Sequence, residues 1–390
     1  MTTATNLPVH PFPARMAPEL ALRQLPKMKR RRLVVLDPMM GSGTIPILAS
    51  VNGYDAIGFD VDPLAILIAR TTGRALRTSS FLHAAENVAE WARAHRHKSF
   101  RHPDAETHEF IDYWFDSDTQ RHLGALATNI KQSPTRWRAA LWCAFSRLII
   151  TKDAGASRAR DVSHSRPHRV RDRASFDPIE QFVGAAEAIA HRHRLLGDVR
   201  APATALQLRR GDARKLRMAT SAVDAVITSP PYLQAIDYMR GHRLSLVWMG
   251  YSVGELRNIR AGSIGSERGA EVEDHYSAVL SKVLPPDLDK RGRQIVARYV
   301  NDCGGVIREI QRVLRQGGQA TFVVADATVR GVPILVSGIV DELMKTYRMS
   351  CIDRIERPIA TASRYLPPPT DGSNTLDKRM RVEHCLTYRR

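Results

Sequence analysis

The sequence predicts an α/β protein with a mostly parallel sheet and a largely helical insertion. Short apolar runs rich in β-branched residues, ended by acidic, proline or glycine turns, are typical of buried parallel strands. Such runs occur at residues 33–36 and 56–60, resume at 205–208, and recur at 222–227 and 319–324. Between about residues 72 and 202 the pattern is helical instead. We therefore divide the chain into an N-terminal core part (1–72), an insertion (73–203) and a C-terminal core part (204–390).

The later part of the chain adds a helix and two further strands to this prediction. Residues 236–249 read as a helix, and residues 351–355 and 382–388 read as strands. The segment between these two strands carries Arg364 and a run of three prolines, and we expect it to lie on the side of the sheet where ligands bind.

The composition predicts a polyanionic partner and gives no sign of a metal site. The chain of 390 residues carries 58 Lys and Arg against 40 Asp and Glu, a formal charge of +18, which favours nucleic acid as the partner. The cysteines at 143, 303, 351 and 385 form no C-x-x-C pair, so neither a zinc knuckle nor a disulfide framework is indicated. The N-terminus lacks a signal-peptide pattern and no apolar run approaches membrane-spanning length, so we expect a cytoplasmic protein with no membrane partner.

A glycine-rich turn follows the first predicted strand. The sequence DPMMGSGT (residues 37–44) leads directly into a helical pattern. Gly41 and Gly43 allow backbone N–H groups to approach a ligand, and the helix N-terminus favours anionic groups. The turn lacks the third glycine of the dinucleotide fingerprint and the Gly-Lys-Ser/Thr of a P-loop, which argues against NAD and ATP in their usual modes.

Acidic residues stand at the ends of two further strands. The strand at 56–60 ends in Asp60, and a carboxylate at such a tip can accept both hydroxyls of a ribose. Asp62 is the reserve for this role, although it is equally suited to cap the helix that begins at Pro63. Asp212 follows the strand at 205–208, and since only a short helix separates it from the next strand, we expect it to neighbour Ser229.

The strand at 222–227 leads into TSPPYL (residues 228–233), the stretch around which the chain is organised. Ligands of open α/β sheets bind outside the carboxyl ends of the strands, where Ser229 lies. A small hydrogen-bond acceptor, a rigid Pro230-Pro231 turn and the aromatic plate of Tyr232 suit a flat ring that bears an amine. The alternative is that the two prolines only punctuate a loop.

Two basic segments are candidates for phosphate contacts. Residues 151–173 hold many arginines and almost no apolar side chains, so we expect a mobile loop that cannot pack a core. Residues 257–269 are rich in glycine and arginine and read as a mobile loop beside the pocket. A merely solvated basic loop is the alternative for the first segment. The candidate DNA contacts are Arg158, Arg160, Arg166, Arg169, Arg171, Arg260 and Arg268.

With these motifs in this order, the chain resembles the S-adenosylmethionine-dependent DNA amino-methyltransferases over most of its length. DPMMGSGT is similar to the family's cofactor motif, and SPPY (residues 229–232) is similar to its catalytic motif in the serine form associated with N4-cytosine enzymes. Residues 10–16 resemble the family's extra cofactor-side motif. The motif order, with an insertion between the two motifs, resembles the α group, whose insertion reads the target sequence. The resemblance implies a Rossmann-like class I methyltransferase fold with a mostly parallel seven-stranded sheet.

The resemblance also implies a cofactor, S-adenosyl-L-methionine, and a role for each motif residue. Asp37 orients the methionine amino group, Asp60 binds the ribose, and Asp212 lies near the adenine. The other implied cofactor-site residues are Phe12, Met39, Gly41, Ser42, Gly43, Thr44, Asp62 and Ala213. The implied catalytic residues are Ser229, Pro230, Pro231 and Tyr232: the Ser229 side chain and the Pro230 carbonyl accept the two N–H bonds of the target amine, and Tyr232 stacks on the flipped base.

The predicted function is therefore transfer of a methyl group to the N4 amine of cytosine in double-stranded DNA. Adenine N6 is the nearest alternative, and RNA or a guanine amine is the next. A C5-cytosine enzyme is disfavoured, because it needs a cysteine nucleophile and no cysteine follows a proline here. A different class stays open, a basic nucleic-acid-binding protein with a silent methyltransferase core. A cognate restriction endonuclease is left open as a partner, and the sequence predicts no oligomeric state.

Overall fold

A computed structural model describes residues 9–12, 16–27, 31–196, 204–233, 237–265, 273–359 and 382–390. Seven strands within these ranges form one sheet: β1 (Val34–Asp37), β2 (Asp55–Asp60), β5 (Leu206–Arg210), β6 (Val223–Thr228), β7 (Leu314–Val324), β10 (Ser350–Pro358) and β11 (Val382–Arg389). Their order across the sheet is β10-β11-β7-β6-β1-β2-β5. The pairs from β7 to β5 are parallel, and β11 is antiparallel to both β7 and β10. The predicted α/β class with a mostly parallel seven-stranded sheet is confirmed.

Two short hairpins and a series of helices complete the described chain. The hairpins are β3 (Ala159–Arg160) with β4 (His168–Arg169), and β8 (Ala327–Val329) with β9 (Val332–Ile334). The helices are α1 (Pro18–Arg23), α2 (Thr44–Val51), α3 (Pro63–Gly73), α4 (Thr78–His95), α5 (Ala105–Trp114), α6 (Ser117–Gln132), α7 (Thr135–Ile149), α8 (Pro178–Leu196), α9 (Tyr238–Leu246), α10 (Val253–Ala261), α11 (Ser277–Val283), α12 (Lys290–Val313) and α13 (Val336–Thr346).

The centre of the sheet is strand β1. Its residues Val35 and Leu36 are fully buried, and the strand pairs with β2 on one side and with β6 on the other. The direction of strand succession therefore reverses at β1, and such a switch point opens a crevice at the carboxyl ends of the strands. Asp37, Asp60 and Thr228 are the last residues of these three strands, so their loops meet at one edge.

The expected adjacency of Asp212 and Ser229 is wrong. Strand β5, which precedes Asp212, is the outer strand of the sheet, whereas β6, which precedes Ser229, lies beyond both β2 and β1. The chain passes from one side of the switch point to the other between these strands. Closeness in sequence therefore does not place the two strand tips side by side.

The predicted helical insertion contains helices α4 to α8, which pack around a large apolar core. Phe81, Leu126, Phe145 and Phe182 are fully buried in this core. The same cluster includes Leu64 and Ile68 of α3, and Leu244 and Trp248 in and after α9. The insertion thus shares one continuous core with helices that flank the sheet.

The segment 151–173 packs, contrary to the prediction. Ala156, Ala159 and Val162 are buried, and backbone hydrogen bonds link Arg158 N to Trp114 O (2.8 Å) and Ala156 N to Leu148 O (2.8 Å). A few small apolar residues are enough to bury part of the segment, because it packs on the helices of the insertion instead of forming a core of its own. Its hairpin also sits against α9, where a Cβ on Gly241 would lie 2.4 Å from the Val162 carbonyl oxygen.

The second predicted loop, 257–269, is also helical over its first half. Helix α10 extends to Ala261 and begins with a capping box formed by Ser252 and Glu255. Residues 266–269, including Arg268, lie outside the described residues, as does the proline-containing segment expected on the pocket side.

Candidate active site

The turn after β1 depends on both of its glycines. Gly41 and Gly43 have positive φ values of 51° and 87°, a region that only glycine adopts freely. A Cβ on Gly43 would lie 2.8 Å from the Ala69 Cβ, so this glycine lets α2 approach α3. A Cβ on Gly41 would lie 3.1 Å from the Phe12 ring. The turn is therefore closely packed at both glycines, against Phe12 at Gly41 and against α3 at Gly43.

Asp60 fixes this turn from the neighbouring strand. The Gly41 N–H donates to Asp60 Oδ2 (2.8 Å), and the Asp62 N–H donates to Oδ1 (2.9 Å). Burial, and then the charge of Asp62, raise the pKa of Asp60 to about 6. Each carboxylate oxygen retains a second lone pair, so the ionised group can still accept two hydroxyl groups.

Asp62 differs from Asp60 in having both oxygens engaged within the protein. Oδ1 accepts the Leu64 N–H (2.8 Å) and caps helix α3, and Oδ2 lies 2.5 Å from His242 Nδ1. The side chain is 9% exposed. This geometry agrees with the helix-cap alternative and leaves Asp60 as the better candidate for the ribose.

Asp37 is buried at the tip of β1. Its Oδ1 accepts the Thr228 hydroxyl (2.8 Å) and the Met39 N–H (3.1 Å). Burial raises the pKa of Asp37 to about 7. Thr228 directly precedes Ser229, so its hydrogen bond to Asp37 connects the glycine turn to the predicted catalytic loop, residues 229–232.

The Ser229–Tyr232 loop is held at two points. The Tyr299 hydroxyl of α12 donates to the Pro231 carbonyl (3.2 Å), and the Tyr232 hydroxyl donates to Glu383 Oε1 (3.2 Å). Burial, followed by the charge of Glu383, raises the pKa of Tyr232 well above its usual value. The Tyr232 hydroxyl is therefore protonated and acts as a donor.

One cavity of about 740 Å³ joins these motifs. Its wall includes ten of the predicted cofactor-site residues, Phe12, Asp37, Met39, Gly41, Ser42, Thr44, Asp60, Asp62, Asp212 and Ala213, together with Ser229, Pro231 and Tyr232. Of the predicted cofactor and catalytic residues, Gly43 and Pro230 are not in the wall: Gly43 packs against α3, and Pro230 is buried. The volume is within the range of small-molecule sites.

Asp212 belongs to an ion-pair network at the far end of this cavity. Arg214 bridges Asp212 (2.7 Å) and the buried Asp302 (2.6 Å), and the Gly265 N–H also donates to Asp302 (3.1 Å). The network links the tip of β5 to the residues after α10. Gly262, Ser263 and Ile264 consequently form part of the cavity wall.

Arginines from α9 and α10 form a basic wall that the sequence did not single out. Arg240, Arg243 and Arg257 line the cavity together with the predicted Arg166 and Arg260. Arg240 and Arg260 share a single carboxylate oxygen of Asp237, at 3.1 and 2.6 Å. The guanidinium of Arg243 lies over the Phe110 ring, 5.0 Å from its centroid, and its buried Nε has no hydrogen-bond partner. Within each helix two arginines are three positions apart, which places them on the same helix face, and this spacing could have indicated the basic wall from the sequence.

Other predicted DNA-contact arginines serve the fold. Arg158 donates to the carbonyls of Asp112 (2.7 Å) and Asp172 (2.8 Å), and Arg171 donates to Ser175 and to the Asp153 carbonyl. Arg169 lies over the Tyr113 ring, 5.1 Å from its centroid, and Arg160 pairs with Asp161 (3.3 Å). These four arginines therefore have partners within the protein, and their contact with DNA stays a prediction.

Neither a metal centre nor a membrane span is found within the described ranges. Their His, Cys, Asp and Glu side chains do not gather in any group of three or more that could hold a metal ion. Across the same ranges, every helix is too short or too polar to span a bilayer.

Comparison with known proteins supports the methyltransferase resemblance. No protein-family model matches the chain. The Type II methyltransferase M.MvaI of Kocuria varians is 23% identical over 408 residues, covering 94% of this chain and 86% of that protein. A solved S-adenosylmethionine-dependent methyltransferase of Methanosarcina mazei covers 97% of this chain and 99% of its own, at 9% identity and a TM-score of 0.33.

A second solved structure is similar over a smaller part of the chain. It is a putative DNA modification methylase of Thermus thermophilus in complex with S-adenosyl-L-methionine. It covers 46% of this chain and 53% of its own, at 18% identity and a TM-score of 0.24.

Proposed function

We propose that the protein is an S-adenosylmethionine-dependent DNA methyltransferase whose target is the N4 amine of cytosine. The observation that carries the proposal is the single cavity that joins the Gly41 turn and Asp60 to Ser229 and Tyr232. A cofactor methyl group and a target amine need to meet within one such space. The relative from Kocuria varians, a Type II methyltransferase, supports the same reaction class.

S-adenosyl-L-methionine is the cofactor, and three acidic residues along the wall suit its three parts. Ionised Asp37 would hold the methionine ammonium group, Asp60 the ribose hydroxyls, and Asp212 would border the adenine. The methionine end borders Gly41, where a side chain would intrude. The cofactor supplies an activated methyl group, and this chain's residues supply binding and alignment.

The catalytic loop works by placing hydrogen-bond acceptors against the target amine. Ser229 Oγ in the cavity wall would accept one of its N–H bonds. The resemblance implies the Pro230 carbonyl as the acceptor of the other, although Pro230 itself is buried behind the wall. The two hydrogen bonds draw electron density to the nitrogen and direct its lone pair at the methyl group. No covalent intermediate with the protein is required, because alignment and exclusion of water lower the barrier. The Tyr232 ring would stack on the base, a contact worth about 1–3 kcal/mol.

The basic wall suits the DNA strand that delivers the base. A base within a duplex must leave the stack to enter a cavity at the end of a sheet, and its phosphates follow it to the cavity mouth. Arg240 and Arg260 share the carboxylate of Asp237, and the same carboxylate is the acidic group that acts on Arg243, so three cationic groups surround one anionic group. This excess of positive charge suits phosphates. Arg166 brings the insertion (73–203) to the same cavity, and we propose that the insertion shares in reading the target.

The decisive experiment is nucleoside analysis of DNA from a methylation-deficient host, with and without the gene. N4-methylcytosine is expected only when the intact gene is present, and a Ser229→Ala variant serves as the control for catalysis. N6-methyladenine would replace the cytosine assignment with the adenine one. If neither base appears and calorimetry detects no binding of S-adenosylmethionine, the silent-core alternative is correct and the proposal is wrong.

A further inference from the structure

We propose that Glu383 is a positioning residue for the target base, because it anchors the ring of Tyr232 through the tyrosine hydroxyl. This inference rests on the proposed function, in which the Tyr232 ring contacts the flipped base. Neither the motif nor the resemblance points to residue 383, which lies 151 positions from Tyr232 in the chain. Strand β11 brings the two together.

The sheet explains how Glu383 reaches the site. Strand β11 runs antiparallel to β7, so its first residues lie at the edge where the parallel strands end. Glu383 stands opposite Arg357 of β10, and the register continues with His384 opposite Val324 of β7. A carboxylate at this place extends along the same edge as the loop after β6.

The Glu383 carboxylate links Tyr232 to Arg357. Its Oε1 accepts the Tyr232 hydroxyl (3.2 Å), and its Oε2 accepts the Arg357 guanidinium (2.7 Å). The Glu383 side chain is 15% exposed, whereas Arg357 is 36% exposed. The arginine compensates the carboxylate charge and fixes its orientation, so the carboxylate presents one oxygen to the tyrosine.

The ring of Tyr232 needs such an anchor. The prolines before it fix the backbone, and Tyr299 holds the Pro231 carbonyl, but neither contact sets the side-chain torsions of Tyr232. The Tyr232 hydroxyl is held by Glu383 and also by the Ser229 side chain, and Glu383 is the partner that comes from outside the loop. A hydrogen bond at the far end of the ring restricts both torsions. Because stacking depends on the plane of the ring, Glu383 acts on the base through Tyr232 and does not itself touch the reacting atoms.

A double-mutant cycle tests this coupling. The variants are Tyr232→Phe, which removes only the hydroxyl, Glu383→Gln, which removes the charge, and the combination of both. Single-turnover methyl transfer to target DNA is measured with saturating cofactor. Tyr232→Phe is expected to lose roughly 10-fold in rate, the worth of a charge-assisted hydrogen bond. Glu383→Gln keeps a neutral acceptor and should lose less, about 3-fold, because a hydrogen bond to a charged group is roughly twice as strong as a neutral one. The double variant should lose about as much as Tyr232→Phe alone, and not the product of the two losses, as independent sites would.

The control is Glu356→Gln, which makes the same charge change on the neighbouring strand. Glu356 is 64% exposed and pairs with His384 (3.5 Å), away from Tyr232, so its loss should leave the rate unchanged. Affinity for S-adenosylmethionine, measured by calorimetry, should be the same in all variants. The proposal is wrong if the loss of rate in the double variant equals the product of the two single losses. It is also wrong if Glu383→Gln has the same rate as Glu356→Gln.

Folding and the proposed function are checked separately. If Glu383→Gln does not fold, Arg357→Gln, which removes the arginine that orients the Glu383 carboxylate, replaces it in the cycle with Tyr232→Phe. Multiplying losses, or a wild-type rate for Tyr232→Phe, overturn the proposal. A slow rate of Tyr232→Phe alone does not suffice, because this variant also loses the contact with Ser229. If the unaltered protein binds no S-adenosylmethionine and methylates no DNA, the proposed function fails, which is a different result from an uncoupled cycle in an active enzyme.

Discussion

The strongest test of the glycine turn is the substitution Gly43→Ala. The φ angle of Gly43 is +87°, and the added Cβ would lie 2.8 Å from Ala69 Cβ and 3.3 Å from Ala69 Cα. The conformation costs an alanine about 1–2 kcal/mol. Carbon atoms prefer about 3.5–4.0 Å, so α2 and α3 must separate locally, and such overpacking costs about 1–3 kcal/mol. We expect a loss of about 2–5 kcal/mol in the free energy of unfolding.

A matched control separates the two parts of this loss. Gly331 has almost the same φ angle, +86°, but a Cβ there would meet nothing within 4 Å. Gly331→Ala should therefore show the conformational part alone, about 1–2 kcal/mol. Urea unfolding of the three proteins gives the comparison. If the two variants lose the same free energy of unfolding, or Gly43→Ala loses less, the steric clash between α2 and α3 at Gly43 is refuted.

Gly41→Ala should cost less stability than Gly43→Ala, but it should lower the affinity for the cofactor. The nearest atom to its Cβ would be Phe12 Cε1, at 3.1 Å, and this ring belongs to a side chain that can shift. The loss of stability should then be near that of Gly331→Ala. Gly41 lines the cavity, so the methyl group would enter the space proposed for the methionine end, and cofactor affinity should fall. Unchanged affinity by calorimetry would place the cofactor elsewhere.

Two further predictions concern charge. Burial raises the pKa of Asp60 from 3.8 to about 6, so its ionisation destabilises the unliganded protein as pH rises from about 4 through 6. Cofactor affinity should increase with pH as Asp60 and then Asp37, whose pKa is raised to about 7, become ionised. By calorimetry, Asp60→Asn should remove the part of this rise near pH 6 and keep the part near pH 7. Arg260→Gln should weaken DNA binding and reduce the slope of log affinity against log salt by about 0.9 if one phosphate contact is lost. Arg121→Gln, which removes an arginine paired with Asp118 on α6, is the control, and equal slopes for both variants would contradict the basic wall.

The strand tips were predictable because their signals are local. An apolar β-branched run that ends in an acid or in proline predicts a buried strand and exposes the next residue at the sheet edge. Asp37, Asp60 and Ser229 all follow this rule, and all three line the cavity. The fold class followed from the same runs, since alternation with helical patterns leaves a parallel sheet as the simplest arrangement.

The features that were missed depend on contacts distant in sequence. Strand order separates β5 from β6, although the two strands are consecutive in the core. Ala159 and Val162 are buried because they lie against helices that are distant in sequence. The composition of the segment alone therefore predicted a mobile loop incorrectly. Glu383 reaches Tyr232 because an antiparallel last strand reverses the direction of the chain at the sheet edge.

The N-terminal segment links the insertion to the glycine turn through a buried histidine. His10 Nδ1 lies 2.6 Å from the Pro11 carbonyl, so this nitrogen is the donor, and Nε2 accepts the Ser146 hydroxyl of α7 (2.9 Å). Burial lowers the pKa of His10 to about 3, so the ring stays neutral at ordinary pH and the link does not switch. Two residues on, Phe12 stacks on Tyr238 at 5.6 Å and contacts the face of the turn where Gly41 lacks a side chain. One short segment therefore connects helix α7 of the insertion with the glycine turn, because it is hydrogen-bonded to the helix and packed on the turn.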